Sequence, residues 1–374
     1  MKILILIDSL TCGGAEKSLI SLLPFLVERR HDITLMLRSR GGLFEQYVPK
    51  EVSIVNFPFK PTKLNKLMYS IALRLPWNRH RHTAEIYWQC IGRHFPKLPE
   101  NYDVAIAYQQ GFPTFYIATK VQADKKFCWV NADIKSVGYS TRFCKDFYDR
   151  IDGICGVSDV LCDSIIYPEY VADHNKITMV LDIQNEDMIR QMATERNPFD
   201  GGIINITTVG RLVPLKGYVL AIDAACILRD AGRKFCWHFV GGGGQMESLK
   251  NRIDRENLND FVVLEGEQLN PYPYIANCDI YVQPSKFEGF GLTVSEAKIL
   301  GKPIVSTNFP VIYNQITPGE NGLVVEMTGN AIAEGIMRLI DDEPLREKIV
   351  ASVKAEHNTT ADTESAKVIK MIEA

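Results

Sequence analysis

The sequence predicts an α/β protein made of two doubly wound parallel sheets. Three observations lead there. Short apolar runs alternate with longer amphipathic stretches, the pattern of β-α-β units. The alternation breaks once, at 195–202 (ERNPFDGG), where Pro198 and two glycines interrupt any helix, and then restarts. The 374 residues are enough for two domains that each bury a core.

The strands expected before the break are 3–7, 33–37, 52–55, 104–107, 127–130, 153–157 and 177–180, with helical stretches such as 16–27 and 160–167 between them. After it come 203–209, 235–240, 261–264, 280–282, 304–305 and 322–325. A last helical stretch, 360–374, has an apolar face for either domain. The expected division is 1–198, 199–358 and a terminal helix at 359–374, left open between packing on the second domain and crossing back to the first. Ligands of doubly wound sheets sit at the carboxyl ends of the strands, so the expected site lies in a cleft between two facing domains.

Composition narrows the function. There are 42 basic and 45 acidic side chains, a formal net charge of −3, which argues against a general nucleic-acid binder. Nine cysteines show no CxxC pair and no zinc-like spacing with histidine, as expected of reduced thiols in a cytoplasmic protein. The N-terminal apolar run is short and contains Asp8, so it reads as a retained strand rather than a signal peptide. No window offers the about 20 apolar residues of a membrane span.

Three segments carry the chemistry. In VGRLVPLKG, 209–217, a strand runs into a helix at 218–230, and Arg211 and Lys216 fall where helix N–H groups already favour anions. Arg211 offers a planar fork and Lys216 a mobile point charge. The next strand ends in four glycines, 241–244, and Gly241 and Gly242 would let backbone approach a phosphate. Two anion-ready strand ends in one domain point to a diphosphate. Neither a Walker loop nor a GxGxxG after the first strand is present. The third segment, PSKFEGFGLTVSEA at 284–297, places Glu288 in a glycine-rich loop and Glu296 eight residues on, inside the following helix. Two carboxylates so placed suit hydroxyl groups of a polyol.

With these motifs in this order, the whole chain resembles the retaining glycosyltransferases of family 4, and 203–325 resembles them most. The resemblance implies the GT-B fold, two Rossmann-like domains facing across a cleft. It implies that Arg211 and Lys216 hold the diphosphate of a nucleotide sugar and that Glu296 binds the ribose. Glu288, with the backbone of Gly289, Phe290, Gly291 and Leu292, would hold the transferred sugar. Gly13 and Gly14 resemble the family's first loop, under acceptor and donor phosphates. Many relatives carry a histidine after the fifth strand; here the segment is WVNAD, leaving Asn131 and Asp133 as sugar-contact candidates. The implied reaction transfers a sugar, with retention, to a saccharide acceptor in surface-polysaccharide synthesis such as capsule or lipopolysaccharide. The base stays open between uridine and guanosine, with the UDP-sugar preferred. No D-x-D occurs, so no metal or other cofactor is expected and the cations would neutralise the leaving group. A nucleotide-sugar 2-epimerase and a non-catalytic scaffold share the architecture; the former lacks acid/base signatures here, and the latter has no need of the four charged groups.

Residues 60–97 hold eight basic side chains against one acid, Glu85. Leu64, Leu67, Met68, Ile71, Leu75 and Trp77 interleave apolar groups at near-helical spacing. The pattern fits docking on an anionic membrane surface, with a lipid-linked acceptor at the cytoplasmic leaflet. The alternative is a hairpin whose apolar face packs on its own domain.

Overall fold

The computed structural model describes residues 1–11, 13–167, 170–199, 201–356 and 360–374. Two compact units form, Met1–Gln184 with Thr360–Ala374, and Asn185–Thr359. The first border falls ahead of the polar 195–202 break, because the helix Glu186–Ala193 packs on Tyr272–Asn277 of the second unit. The expected border at 358/359 lies outside the described residues.

The first unit is a seven-stranded parallel sheet: β1 Lys2–Ile7, β2 Asp32–Leu37, β3 Ser53–Asn56, β4 Asn101–Ala107, β5 Gln122–Val130, β6 Gly153–Gly156 and β7 Ile177–Met179. Their spatial order is β3-β2-β1-β4-β5-β6-β7. Ile3 to Ile7 are fully buried, since a central parallel strand is covered on both faces. Aromatic side chains fill the helical layer beside it, with Trp88, Phe95, Phe112, Phe115 and Phe147 packed edge to face or tilted. The C-terminal helix Thr360–Glu373 belongs to this unit. Its Glu364 accepts the Leu181 N–H at 3.0 Å, and Glu373 meets His31 at 3.1 Å.

The second unit is six-stranded and parallel: β8 Ile204–Val209, β9 Phe235–Val240, β10 Val262–Gly266, β11 Ile280–Gln283, β12 Ile304–Thr307 and β13 Leu323–Val325, in the order β10-β9-β8-β11-β12-β13. Trp237, Phe239, Ile206 and Val282 are fully buried at its centre. All thirteen expected strands form. In both sheets the winding reverses beside the first strand, between β1 and β4 and between β8 and β11. Loops leaving such a pair of strands diverge and open a crevice at their carboxyl ends. Among the described residues, no helix is long and apolar enough to cross a membrane.

Candidate functional site

The two loops at the second unit's switch point are Gly210–Gly217, after β8, and 284–291, after β11. Backbone ties them together: the Lys286 N–H donates to the Leu215 carbonyl at 2.7 Å. Gly217 has a left-handed φ of 71° and precedes the helix Tyr218–Asp230. A Cβ there would lie 1.8 Å from the Pro284 carbonyl oxygen, so only glycine allows the loops to touch. Tyr218, buried, donates its hydroxyl to the Gly210 carbonyl at 2.7 Å and fixes the loop's start.

This clamp brings Lys216 to Glu288. The Lys216 Nζ lies 2.7 Å from both Glu288 carboxylate oxygens. Glu288 is 8% exposed. Its Oε1 also accepts from the Ser285 hydroxyl at 2.6 Å and the Gln283 amide at 2.8 Å. The Gln283 amide oxygen in turn accepts from the Tyr281 and Thr293 hydroxyls at 2.7 and 3.0 Å. Three donors fill Oε1 and one reaches Oε2. A carboxylate has about four lone-pair sites, so the open capacity is on Oε2. A buried ion pair needs such hydrogen bonds to offset its desolvation.

Lys216 and Glu288, expected on the diphosphate and on the sugar, thus form one ion-paired unit. Arg211 is exposed and has no ion-pair partner among the described residues. Glu296 is 1% exposed and accepts the Tyr272 hydroxyl at 3.2 Å, held among buried groups. Gly289 and Leu292 are part-buried, beside the buried Phe290 and Gly291. The Gln315 side-chain amide donates to the carbonyls of Phe290 and Gly291 and holds this turn of the loop in place. Leu292 opens the helix Leu292–Ile299, whose first turn adds further N–H groups. The glycine run also changes meaning. A Cβ on Gly241, at φ 150°, would lie 2.0 Å from the Gly210 carbonyl oxygen, and the Leu212 N–H donates to the Gly242 carbonyl at 2.8 Å. Gly241, by lacking a Cβ, lets the Arg211 loop lie against the end of β9.

At the first unit's switch point Asp8, after β1, pairs with Arg38 at 3.4 Å, and the groups behind it are joined by neutral hydrogen bonds. Gly13 caps the helix Gly14–Glu28, and the Glu16 carboxylate folds back over it where a Cβ would stand. Asn131, after β5, donates its amide N–H to the Tyr108 carbonyl at 3.1 Å, while its own backbone N–H goes to Gln110 at 2.9 Å. Its amide oxygen is buried with no partner among the described residues. Asn131 thus has an unused acceptor beside its committed amide N–H. Asp133 accepts the Ser136 N–H at 2.9 Å and shapes its own turn. Ser18, Tyr108 and Asp182, invisible as motifs, link these strand ends: Ser18 Oγ lies 3.1 Å from the Tyr108 hydroxyl and accepts the Ile183 N–H at 3.0 Å. Burial pushes the Asp182 carboxyl up to about 7.

Residues 190–355 match the family model for glycosyl transferases group 1. The likeness to that family is carried by this segment, which is less than half of the chain. The group 1 segment takes in β8 to β13 and every charged residue of the clamp. Over 147 residues the chain is 34% identical to the capsular polysaccharide biosynthesis glycosyltransferase CapM of Staphylococcus aureus, covering 38% of each protein. It is 27% identical over 195 residues to the lipopolysaccharide core biosynthesis mannosyltransferase LpsB of Rhizobium meliloti, covering 46% of this chain and 56% of that one. A match to an uncharacterized glycosyltransferase of Methanocaldococcus jannaschii is 29% identical and spans 39% of its length. The chain thus spans well under two thirds of these relatives. Two solved structures extend the fold over the whole chain. Anabaena HepE in complex with UDP-glucose superposes with a TM-score of 0.76 at 19% identity, covering 100% of this chain and 99% of that one. WaaG, a glycosyltransferase involved in lipopolysaccharide biosynthesis, gives 0.69 at 14%, covering 99% of both. The group 1 segment and the sheet ahead of it are the two Rossmann-like halves of a GT-B fold.

Proposed function

We propose that the chain is a retaining glycosyltransferase of the family 4 type. It moves a sugar from a nucleoside diphosphate sugar, UDP- in preference to GDP-, to a lipid-linked saccharide acceptor during surface-polysaccharide synthesis. The observation that carries the reading is the Lys216–Glu288 pair, buried at the switch point of a group 1 segment.

Arg211 and Lys216 take the diphosphate, with Arg211 supplying the charge that Lys216 shares with Glu288. Glu288 Oε2 accepts from a hydroxyl of the transferred sugar, and the N–H groups of Phe290 and Gly291 donate to it. Glu296 takes the ribose. A carboxylate already held by Lys216, Ser285 and Gln283 is a poor nucleophile. The reaction then runs on one face of the sugar. The C1–oxygen bond to the diphosphate breaks as the acceptor oxygen bonds to C1, and the acceptor proton passes to the departing phosphate oxygen. The charge on that leaving group is met by the cations and by helix N–H groups, with no metal needed. Asn131 offers its amide oxygen to an acceptor hydroxyl.

Docking on an anionic membrane completes the reading. In the helix Lys63–Arg74, Tyr69 packs edge-on against Tyr87 at 5.1 Å, while Leu64, Leu67 and Ile71 stay exposed, as does the nearby Trp77. The hairpin alternative leaves these four uncovered. Lys60, Lys63 and Lys66 are exposed beside them. Apolar insertion with flanking cations is the interfacial pattern.

The test is a panel of sugar nucleotides with lipid-diphosphate acceptors, followed by released nucleoside diphosphate, with and without chelator. Turnover should need the acceptor, survive chelation, and fall by about 10²–10³-fold or more in Glu288→Ala. Full activity in that variant would overturn the role of Glu288.

A further inference from the structure

A groove lies on the helical layer of the first unit. The helices Thr83–Ile91 and Thr141–Tyr148 wall it, and the end of Phe112–Lys120 lies between them. Its volume is 590 Å³, within the roughly 300–1,000 Å³ of small-molecule sites. The candidate loops of the transfer reaction do not line it: Gly13, Gly14 and Asn131 belong to strand ends, and the donor groups to the second unit.

Its lining is strongly cationic. Arg81, Arg93, Lys120, Arg142 and Arg150 stand against two acids, Glu85 and Asp146. Glu85 is fully buried and already committed, accepting from the Arg81 guanidinium and from the Ser140 N–H at 2.9 Å. Arg150 Nε donates to the Asp146 carbonyl at 3.1 Å. Arg93, Lys120 and Arg142 have no ion-pair partner among the described residues. Trp88, Phe143 and Phe147 give the groove an apolar wall. In a chain of net charge −3 this is a local concentration, and low-dielectric walls focus its positive field.

We propose that this groove binds a phosphate-bearing saccharide, a second site apart from the one that takes the nucleoside diphosphate. The phosphate oxygens pair with the Arg93 and Arg142 forks and with the Lys120 ammonium. The C–H face of the sugar ring lies on the aromatic wall, and its hydroxyls meet Gln89 and Thr119, both in the lining. Helix Thr141–Tyr148 begins beside Arg142, and its positive end favours the same anion.

Calorimetric titration of the full chain tests the proposal, with glucose 6-phosphate, glucose and inorganic phosphate as probes. Glucose 6-phosphate should bind the wild-type chain, more weakly as salt rises. The Arg93→Ala/Arg142→Ala variant should bind it more weakly by about 10²-fold or more, for two lost charge-assisted contacts. Both positions are exposed, and unchanged UDP binding by the variant checks that it is folded and that the donor site is separate. No binding to the wild type, or equal binding by wild type and variant, overturns the site. Inorganic phosphate binding as tightly as glucose 6-phosphate overturns the saccharide part. Flotation on phosphatidylglycerol vesicles distinguishes a lipid headgroup. A variant that loses flotation yet keeps glucose 6-phosphate overturns the proposal in favour of the lipid.

Discussion

The two halves of the chain share a topology and differ in what they carry at its turning point. Both sheets reverse direction beside their first strand. In the second unit the facing loops hold Arg211, Lys216 and Glu288, tied by backbone and by an ion pair. In the first, Asp8 at the end of β1 pairs with Arg38 at the rim, while Ser18 of the first helix, Tyr108 and Asn131 are tied by neutral hydrogen bonds, with Asp182 buried beside them. The winding decides where a crevice opens, and the side chains decide what enters it. Two cations at the strand ends suit a diphosphate, and carboxylates with amide and hydroxyl groups suit the hydroxyl groups of a saccharide.

The largest difference between the halves should come from loop contact. Gly217→Ala puts a Cβ against the Pro284 carbonyl at a positive φ, so a cost of about 3 kcal/mol or more in unfolding free energy is expected. Nucleotide binding should fall with it. Gly13→Ala meets only the movable end of the Glu16 side chain, and its cost should be at most about 1 kcal/mol. Denaturant titration of the two variants compares them, and equal costs would contradict the clamp.

The first unit should show its character in pH dependence. Asp182 has its carboxyl raised from 3.8 to about 7 by burial, with the Glu16 charge adding to it. The folded state therefore holds the proton more tightly than the unfolded one. This group's contribution to stability is complete below about pH 3.8, falls as pH rises, and is gone above about pH 7. Asp182→Asn removes that slope. Relative to the wild type, the variant should gain on the order of 2 kcal/mol between pH 5 and pH 8. A constant difference across that range would count against a buried neutral acid.

The smallest effect belongs to the surface. Leu67→Glu, on the exposed face of helix Lys63–Arg74, should reduce flotation on anionic vesicles several-fold and leave turnover on a water-soluble acceptor intact. Equal recovery with neutral and anionic vesicles would contradict electrostatic docking.

Strand positions were readable because a parallel sheet covered on both faces needs uninterrupted apolar runs, and Ile3–Ile7 or Phe127–Val130 show them without ambiguity. Arg211, Lys216 and Glu288 were readable as charged groups at strand ends. Their pairing was not, since Lys216 and Glu288 are 72 positions apart and meet only because Gly217 admits the Pro284 carbonyl. Gln283, Ser285 and Thr293 were missed because polar residues at a strand's end look like any loop. The orientation of the Asn131 amide was not readable, since only the position of the Tyr108 carbonyl shows which of its groups is occupied. The second unit begins at Asn185, ahead of the polar break, because tertiary contact with 272–277, not composition, assigns the helix Glu186–Ala193.

The grip of the second unit on a diphosphate can be measured without turnover. Calorimetric titration with UDP and GDP would compare the wild-type chain with Arg211→Ala/Lys216→Ala. Binding of at least one nucleotide to the wild type, weakened about 10²-fold or more in the double variant, is expected from two lost charge-assisted contacts. Equal affinity of wild type and variant for the bound nucleotide would contradict the assignment of these two cations.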